Sequence, residues 1–244
     1  MTQDPQLIPP LTHLCAVVVA GGQGSRLGAA QPKGFVNLGT RPLVSYCLDV
    51  FATHPRIDAI VLVAPRSHLE SAHSLAKNCT TPCTVTPGGE ERWESVRNGV
   101  RCAPQEADWI LVHDAARPFV THAVIDAILE KACTYLGVVT ATPITDTVRD
   151  FEGDRAGRTV DRSTLVRVGT PQLFHRETLD RAFPRATTLS SPPTDEAVLL
   201  EKTGVAVGIA QGNPINFKIT TPHDFEIAHA LLTTRHYRQL TATG

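Results

Sequence analysis

Short apolar runs recur along this chain, separated by stretches whose hydrophobic positions return every three or four residues. The first run is Leu14-Cys15-Ala16-Val17-Val18-Val19-Ala20, and others span 57–64, 83–86, 108–113 and 137–142. Near-continuous hydrophobic segments of this length predict strands buried on both faces. The spacers 43–53, 66–77, 91–103 and 121–133 read as helices. Pro42 suits the start of the first and Thr121 an N-cap for the last. Strand and helix alternating in this way predict an α/β domain, a mostly parallel sheet covered by helices on both faces. Such sheets bind ligands at the carboxyl ends of their strands. The glycine-rich loop after Ala20, the Gly88-Gly89 turn and His113-Asp114 all follow strands directly and should converge on one rim.

Residues 145–168 break the alternation. Asp150-Phe151-Glu152-Gly153-Asp154 reads as a turn between two short charged strands, a projecting β-hairpin arm bearing Arg149, Arg155, Arg158 and Arg162. A two-stranded ribbon is marginal alone, so a second subunit is the expected cover. Beyond the arm, 175–183 and 195–203 read as helices, 205–210 and 215–220 as strands, and 222–234 as a final helix. The expected organisation is a disordered leader over 1–12, then one domain over 13–236 that includes the arm.

The loop after the first strand carries the sharpest chemical signal. In Gly21-Gly22-Gln23-Gly24-Ser25-Arg26-Leu27-Gly28, glycines allow backbone N–H groups to approach an anion closely, and Arg26 and Lys33 add full charges. It is not the dinucleotide fingerprint, because Leu27 stands where the third glycine belongs. Nor is it a P-loop, because Lys33 lies between Pro32 and Gly34 rather than before Ser or Thr. A polyanion such as a triphosphate fits best.

Composition narrows the partners. The 244 residues carry a net charge of −1, which argues against nucleic acid or an anionic membrane as the main partner. No apolar run reaches the length of a membrane span, and the leader lacks the basic residues of a targeting peptide. The six cysteines form no C-x-x-C pair and no secretory framework, which predicts reduced thiols and a cytoplasmic location.

Three further segments carry polar chemistry. Gly88-Gly89-Glu90-Glu91-Arg92-Trp93-Glu94-Ser95 joins a glycine turn to a helix start, where backbone groups and the Ser95 hydroxyl could read a base edge. In His113-Asp114-Ala115-Ala116-Arg117-Pro118 an aspartate directly after a buried strand is placed to hold Mg²⁺ or a substrate hydroxyl. Arg117 could fork onto a phosphate or pair with that aspartate, while His113 reads as structural. Lys218 lies in an apolar run whose alternation turns it away from the core-facing side.

These segments, with D-T-V, V-D-R, T-P-Q, T-D-E-A and N-x-K-I-T, occur in the order that resembles the 2-C-methyl-D-erythritol 4-phosphate cytidylyltransferase family of the non-mevalonate isoprenoid pathway. The likeness spans residues 14–234. It implies a Rossmann-like fold of nucleotide-diphospho-sugar transferase type, a homodimer through arm 145–168, and CTP with Mg²⁺ or another divalent cation. By the same resemblance, Arg26, Lys33, Arg162 and Lys218 are the catalytic cations. Ala20, Gly21, Gly22, Gly24, Gly89, Glu90, Arg92, Ser95 and Ala115 would hold CTP. Asp114, Arg117, Thr147, Arg162, Thr170 and Lys218 would hold the acceptor, and Asp114 would also be the metal ligand. Gly22, Glu90, Gly34 and Arg149 depart from the commonest family residues but keep size or charge.

The chemistry needs no general base, because a phosphomonoester is already a dianion near neutral pH. The acceptor alternatives are ribitol or another pentitol 5-phosphate. A sugar-1-phosphate uridylyl- or thymidylyltransferase would need a longer sugar-binding region. A non-catalytic CTP-binding protein would have no use for this set of cations.

Overall fold

The computed structural model describes residues 8–21 and 31–234. In chain order its elements are β1 (Leu14–Val19), β2 (Asn37–Leu38), β3 (Arg41–Pro42), α1 (Leu43–Thr53), β4 (Ala59–Ala64), α2 (Leu69–Ala76), β5 (Cys83–Pro87), α3 (Arg92–Cys102) and β6 (Trp109–Asp114). There follow α4 (His122–Leu129), β7 (Gly137–Pro143), β8 (Val148–Glu152), β9 (Arg155–Val160), β10 (Val166–His175), α5 (Arg176–Ala182), α6 (Ala197–Glu201), β11 (Val207–Gln211) and α7 (Pro222–Thr233). Seven strands form one sheet in the order β11-β7-β10-β6-β1-β4-β5. β10 runs antiparallel to both β6 and β7, and the other neighbouring pairs are parallel.

Strands β1, β4 and β6 are apolar at nearly every position because both faces are covered. On one face, Leu14, Ala16, Val18, Ile60, Leu62 and Leu111 pack against α1, α2 and α4 residues such as Phe51 and Ile125. On the other, Val17, Val61, Val63, Ile110 and Val112 meet Val96 and Val100 of α3 and Leu179 of α5. Thr121 caps α4 through its side chain, as expected, accepting from the Val124 N–H.

The structure corrects three expectations. Residues 215–220 form no strand, and the Asn213 side chain and carbonyl instead close a turn onto Ile215 and Asn216. Their alternation reflects Ile219 packing with Leu38, Leu43 and Phe119 rather than a ladder. Conversely, β10 lies at the middle of the sheet although the sequence did not suggest a strand there. Pro171 cannot donate to a ladder, so proline within a run argues against a central strand. Here the register shifts between Gly169 and Gln172, and that irregularity accommodates it. Finally, β10 takes up residues 166–168, so the hairpin proper is β8–β9. Gly153 supplies the left-handed turn at φ 59°. These two strands pair with no other strand of the described chain, and Phe151 upon them is 82% exposed.

Of the leader expected over 1–12, residues 8–12 are described. Ile8 and Leu11 pack against the core, and Thr12 and His13 bind the Asp108 carboxylate.

Candidate active site

β6 ends at Asp114, opposite Val19 of β1, and the Ala115 N–H donates to the Val19 carbonyl at 3.0 Å. That bond holds the strand end on the rim. The Asp114 carboxylate is nearly buried and meets two cations there. Arg92 Nε donates to Oδ1 at 2.9 Å and Lys218 Nζ to Oδ2 at 2.7 Å. Burial pulls the Asp114 carboxyl upward, but Arg92 and Lys218 outweigh it and hold it well below the usual carboxylate range. The other end of Arg92 lies on Glu196, with Nη1 at 2.8 Å from both carboxylate oxygens.

Beneath this cluster lies a buried relay. The Asp114 N–H donates to Thr170 Oγ1 at 3.0 Å, which lies 3.1 Å from His113 Nδ1. His113 Nε2 is 3.0 Å from the Arg117 carbonyl. The Thr170 hydroxyl therefore donates to Nδ1, and Nε2–H donates to the carbonyl, which is a neutral imidazole with both nitrogens in use. Burial pushes the His113 pKa down to about 4. The structural reading of His113 holds. Thr170 lines the cleft, but its hydroxyl is committed to orienting Asp114 and His113.

A pH dependence follows with a definite sign. An unfolded histidine titrates near ~6.5, so the native state takes up its proton only at lower pH. The stabilisation from neutral His113 is complete above that unfolded pKa and is lost as pH falls toward about 4. Urea unfolding at pH 5 should show roughly 2 kcal/mol less stability from this group than at pH 7. Ring-proton NMR should find one imidazole still neutral at pH 5; if every histidine titrates near its ordinary value, the relay is wrongly drawn.

Arg117 sends Nη1 to the Asn216 carbonyl at 3.1 Å, and Asn216 Nδ2 donates to the Thr170 carbonyl at 2.9 Å. Of the two roles read for Arg117, the ion pair with Asp114 is not formed. A Cβ at Gly169 would stand 3.3 Å from Arg117 Nη1, so glycine leaves the guanidinium its space. Arg117, Arg167, Thr170, Asn216 and Lys218 line a cleft of about 180 Å³.

A second, wider cleft of about 740 Å³ opens between Gly21, Pro32, Arg66, Gly89, Glu90 and Arg97. The α3 start forms its floor. A Cβ on Gly88 would come within 2.9 Å of Ser95 Oγ, so the turn needs glycine there. Gly89 N–H donates to Ser95 Oγ at 3.1 Å, while Glu94 accepts the Glu90 and Glu91 N–H groups at 2.9 and 3.1 Å. The Gly88 N–H goes to the Ala64 carbonyl. These amides are thus committed within the chain, and the reading of Glu91 as a helix-start residue is met by its capping box with Glu94. Gly21 and Ser95 meet here, since a Cβ on Gly21 would lie 3.6 Å from Ser95 Oγ.

Lys33 is 8% exposed and opens a short helical turn, Lys33–Phe35. The next residue, Gly34, sits so close to Ala20 that its Cβ would be 3.0 Å from Ala20 Cβ. That contact sets the Lys33–Phe35 turn against the end of β1, while Lys33 itself lines neither cleft. Gly22, Gly24 and Arg26 lie outside the described residues. Arg92, expected among the nucleotide contacts, turns inward to Asp114 and Glu196. Thr147 and Arg162 are exposed on the arm and line neither cleft; Arg162 binds the Thr145 carbonyl.

Sequence reasoning missed Glu196 and Asn216 as site residues. Both lie in segments that carry the family likeness, Thr194-Asp195-Glu196-Ala197 (also a good helix start) and Asn216-Phe217-Lys218-Ile219-Thr220, but neither residue was given a role of its own. The metal assigned to Asp114 does not fit these residues as they stand. Each carboxylate oxygen already accepts from a cation, and no group of three or more His, Cys, Asp or Glu gathers among the described residues.

A family model described as 2-C-methyl-D-erythritol 4-phosphate cytidylyltransferase matches residues 14–234. A relative of that name from Halalkalibacterium halodurans is 35% identical over 224 residues, covering 91% of this chain and 98% of its own. Another from Rhodococcus jostii is 39% identical over 220 residues, covering 89% and 94%. The crystal structure of the protein of that name from Thermus thermophilus superposes with a TM-score of 0.74 at 29% identity, over 90% of this chain and 98% of that one. Matched along nearly its whole length in sequence and in fold, the chain belongs to the 2-C-methyl-D-erythritol 4-phosphate cytidylyltransferase family of nucleotidyltransferases.

Proposed function

We propose that this enzyme transfers CMP from CTP to the phosphate of 2-C-methyl-D-erythritol 4-phosphate, releasing pyrophosphate, with the nucleotide in the wider cleft and the acceptor in the narrower one. The observation that carries the assignment is Lys218, held on Asp114 at the rim with Arg117 in the same cleft. Cytosine presents an amino donor on its edge, and a turn whose N–H groups are used internally offers it carbonyl oxygens instead. Gly21, Gly89 and Glu90 line the wider cleft, and the family likeness would add Ala20, Gly22, Gly24, Ser95 and Ala115 to the nucleotide side.

The acceptor attacks as a dianion, so no group has to remove a proton. His113 could not do so, since both its nitrogens are engaged. The difficulty is repulsion between two polyanions. Lys218, Arg117 and Lys33, joined by Arg26 from the loop and Arg162 from an arm, would offset that repulsion and the charge that builds at the α-phosphorus. A divalent cation would travel on the triphosphate oxygens, where Mg²⁺ ordinarily binds.

An exposed hairpin bearing Phe151 and flanked by Thr147 and Arg162 supports a homodimer in which each arm reaches the neighbour's acceptor cleft. The test is pyrophosphate release from CTP with a panel of polyol phosphates. Methylerythritol phosphate should give the highest kcat/KM, and a preference for ribitol 5-phosphate would overturn the substrate assignment. In the same assay Arg162→Ala should raise KM for the acceptor and leave KM for CTP nearly unchanged. Equal effects on both would remove the arm from the acceptor site.

A further inference from the structure

Glu196 is wholly buried and places both carboxylate oxygens 2.8 Å from Arg92 Nη1. Its carbonyl accepts the Leu199 and Leu200 N–H groups at 3.0 and 3.3 Å. The neighbouring Asp195 accepts from Gln172 Nε2 of β10 at 2.9 Å and from the Val198 N–H at 3.2 Å, which ties the start of α6 to the middle of the sheet. Burying a carboxylate and a guanidinium is a poor way to gain stability, because desolvation offsets most of their attraction. The value of such a pair lies in the geometry it imposes.

We propose that Glu196 is a positioning residue for Lys218, acting through Arg92 and Asp114. With Nη1 occupied by Glu196, Arg92 presents Nε to one oxygen of Asp114, and the other oxygen is left for Lys218 Nζ at 2.7 Å. A guanidinium without that anchor can turn its planar fork side-on and take both oxygens of a carboxylate. Arg92 would then displace Lys218. Two cations and two carboxylates alternate in this chain, so removing the buried negative charge leaves Asp114 shared between two positive groups. The kinetic consequence rests on the function proposed above; the placement of Lys218 does not.

The chain has five lysines, so reagents that modify amines read Lys218 against four internal references. Glu196→Gln, checked for folding by thermal melt, should raise the rate of reductive methylation at Lys218 about threefold or more by peptide mass spectrometry, with the other lysines unchanged. In the pyrophosphate assay kcat should fall on the order of tenfold while KM for CTP stays constant. Glu196→Asp keeps the charge and should recover part of both effects; it also serves if the glutamine variant does not fold. Unchanged labelling at Lys218 in a folded glutamine variant overturns the proposal. Faster labelling in a protein that never releases pyrophosphate would uphold the positioning and reject the enzymatic reading.

Discussion

Lys218→Ala is expected to lower kcat about 10²–10³-fold, a loss of roughly 3–4 kcal/mol of transition-state stabilisation. The lysine lines the narrower cleft with its Nζ on Asp114, and its side chain is 38% exposed. A group so placed can give charge to an incoming phosphate without first being drawn from the core. Its loss leaves Asp114 paired with Arg92 alone, so an anion facing an anion replaces a cation facing one. Because the side chain is partly solvated, the fold should survive, and circular dichroism and the thermal midpoint should remain close to those of the parent. Lys218→Arg should not restore full turnover, since a planar fork of donors does not replace a compact ammonium. Pyrophosphate release under saturating CTP and acceptor reads the effect. A kcat for the alanine variant within about threefold of the parent would mean that no transition-state charge is met there.

The second large effect is on stability. Arg92→Ala removes the cation paired with Glu196, whose carboxylate is fully buried, and one of the two that hold Asp114. Breaking a buried pair from one side costs about 3–5 kcal/mol. In a chain of this size that corresponds to a fall in Tm on the order of 10 °C. The sign of its pH dependence is also fixed. Burial already raises the Glu196 pKa, with Arg92 opposing the rise. Without Arg92 the folded-state value moves further above the unfolded one, so the stability contribution is present at low pH and lost as pH rises. Urea unfolding of the variant should therefore show a smaller deficit at pH 5 than at pH 8. A deficit independent of pH, or a Tm equal to the parent's, would show that Glu196 does not depend on Arg92.

Much of this fold could be read from periodicity. Strands such as 59–64 and 109–114 declare themselves because a residue covered on both faces must be apolar at every position. The arm was legible because a glycine turn between two charged, alternating segments has few other conformations. β10 was not, since its polar start lies at the rim and Pro171 argues against a central strand until the register shift is known. The run at 215–220 misled for the opposite reason. Its hydrophobic alternation serves contacts with Phe119 and α7, where no ladder exists.

The candidate site divides along the same line. Local sequence showed a glycine turn before α3 and which residues stand directly after strands, whereas the close approach of Gly34 to Ala20 and of Gly88 to Ser95 exists only in the folded chain. It also carried the family's motifs in order, and with them the reaction class. What it could not carry was pairing between residues distant along the chain, 22 to 104 positions apart. Arg92 read as a nucleotide contact, and only the folded chain turns it onto Asp114 and Glu196. Arg117 could also have been read as a partner of Asp114, and the folded chain sends it to Asn216 instead. Local propensity acts between neighbours along the backbone, whereas a buried charge takes whichever opposite charge the packing of distant elements brings within reach. Tertiary structure alone decides that choice.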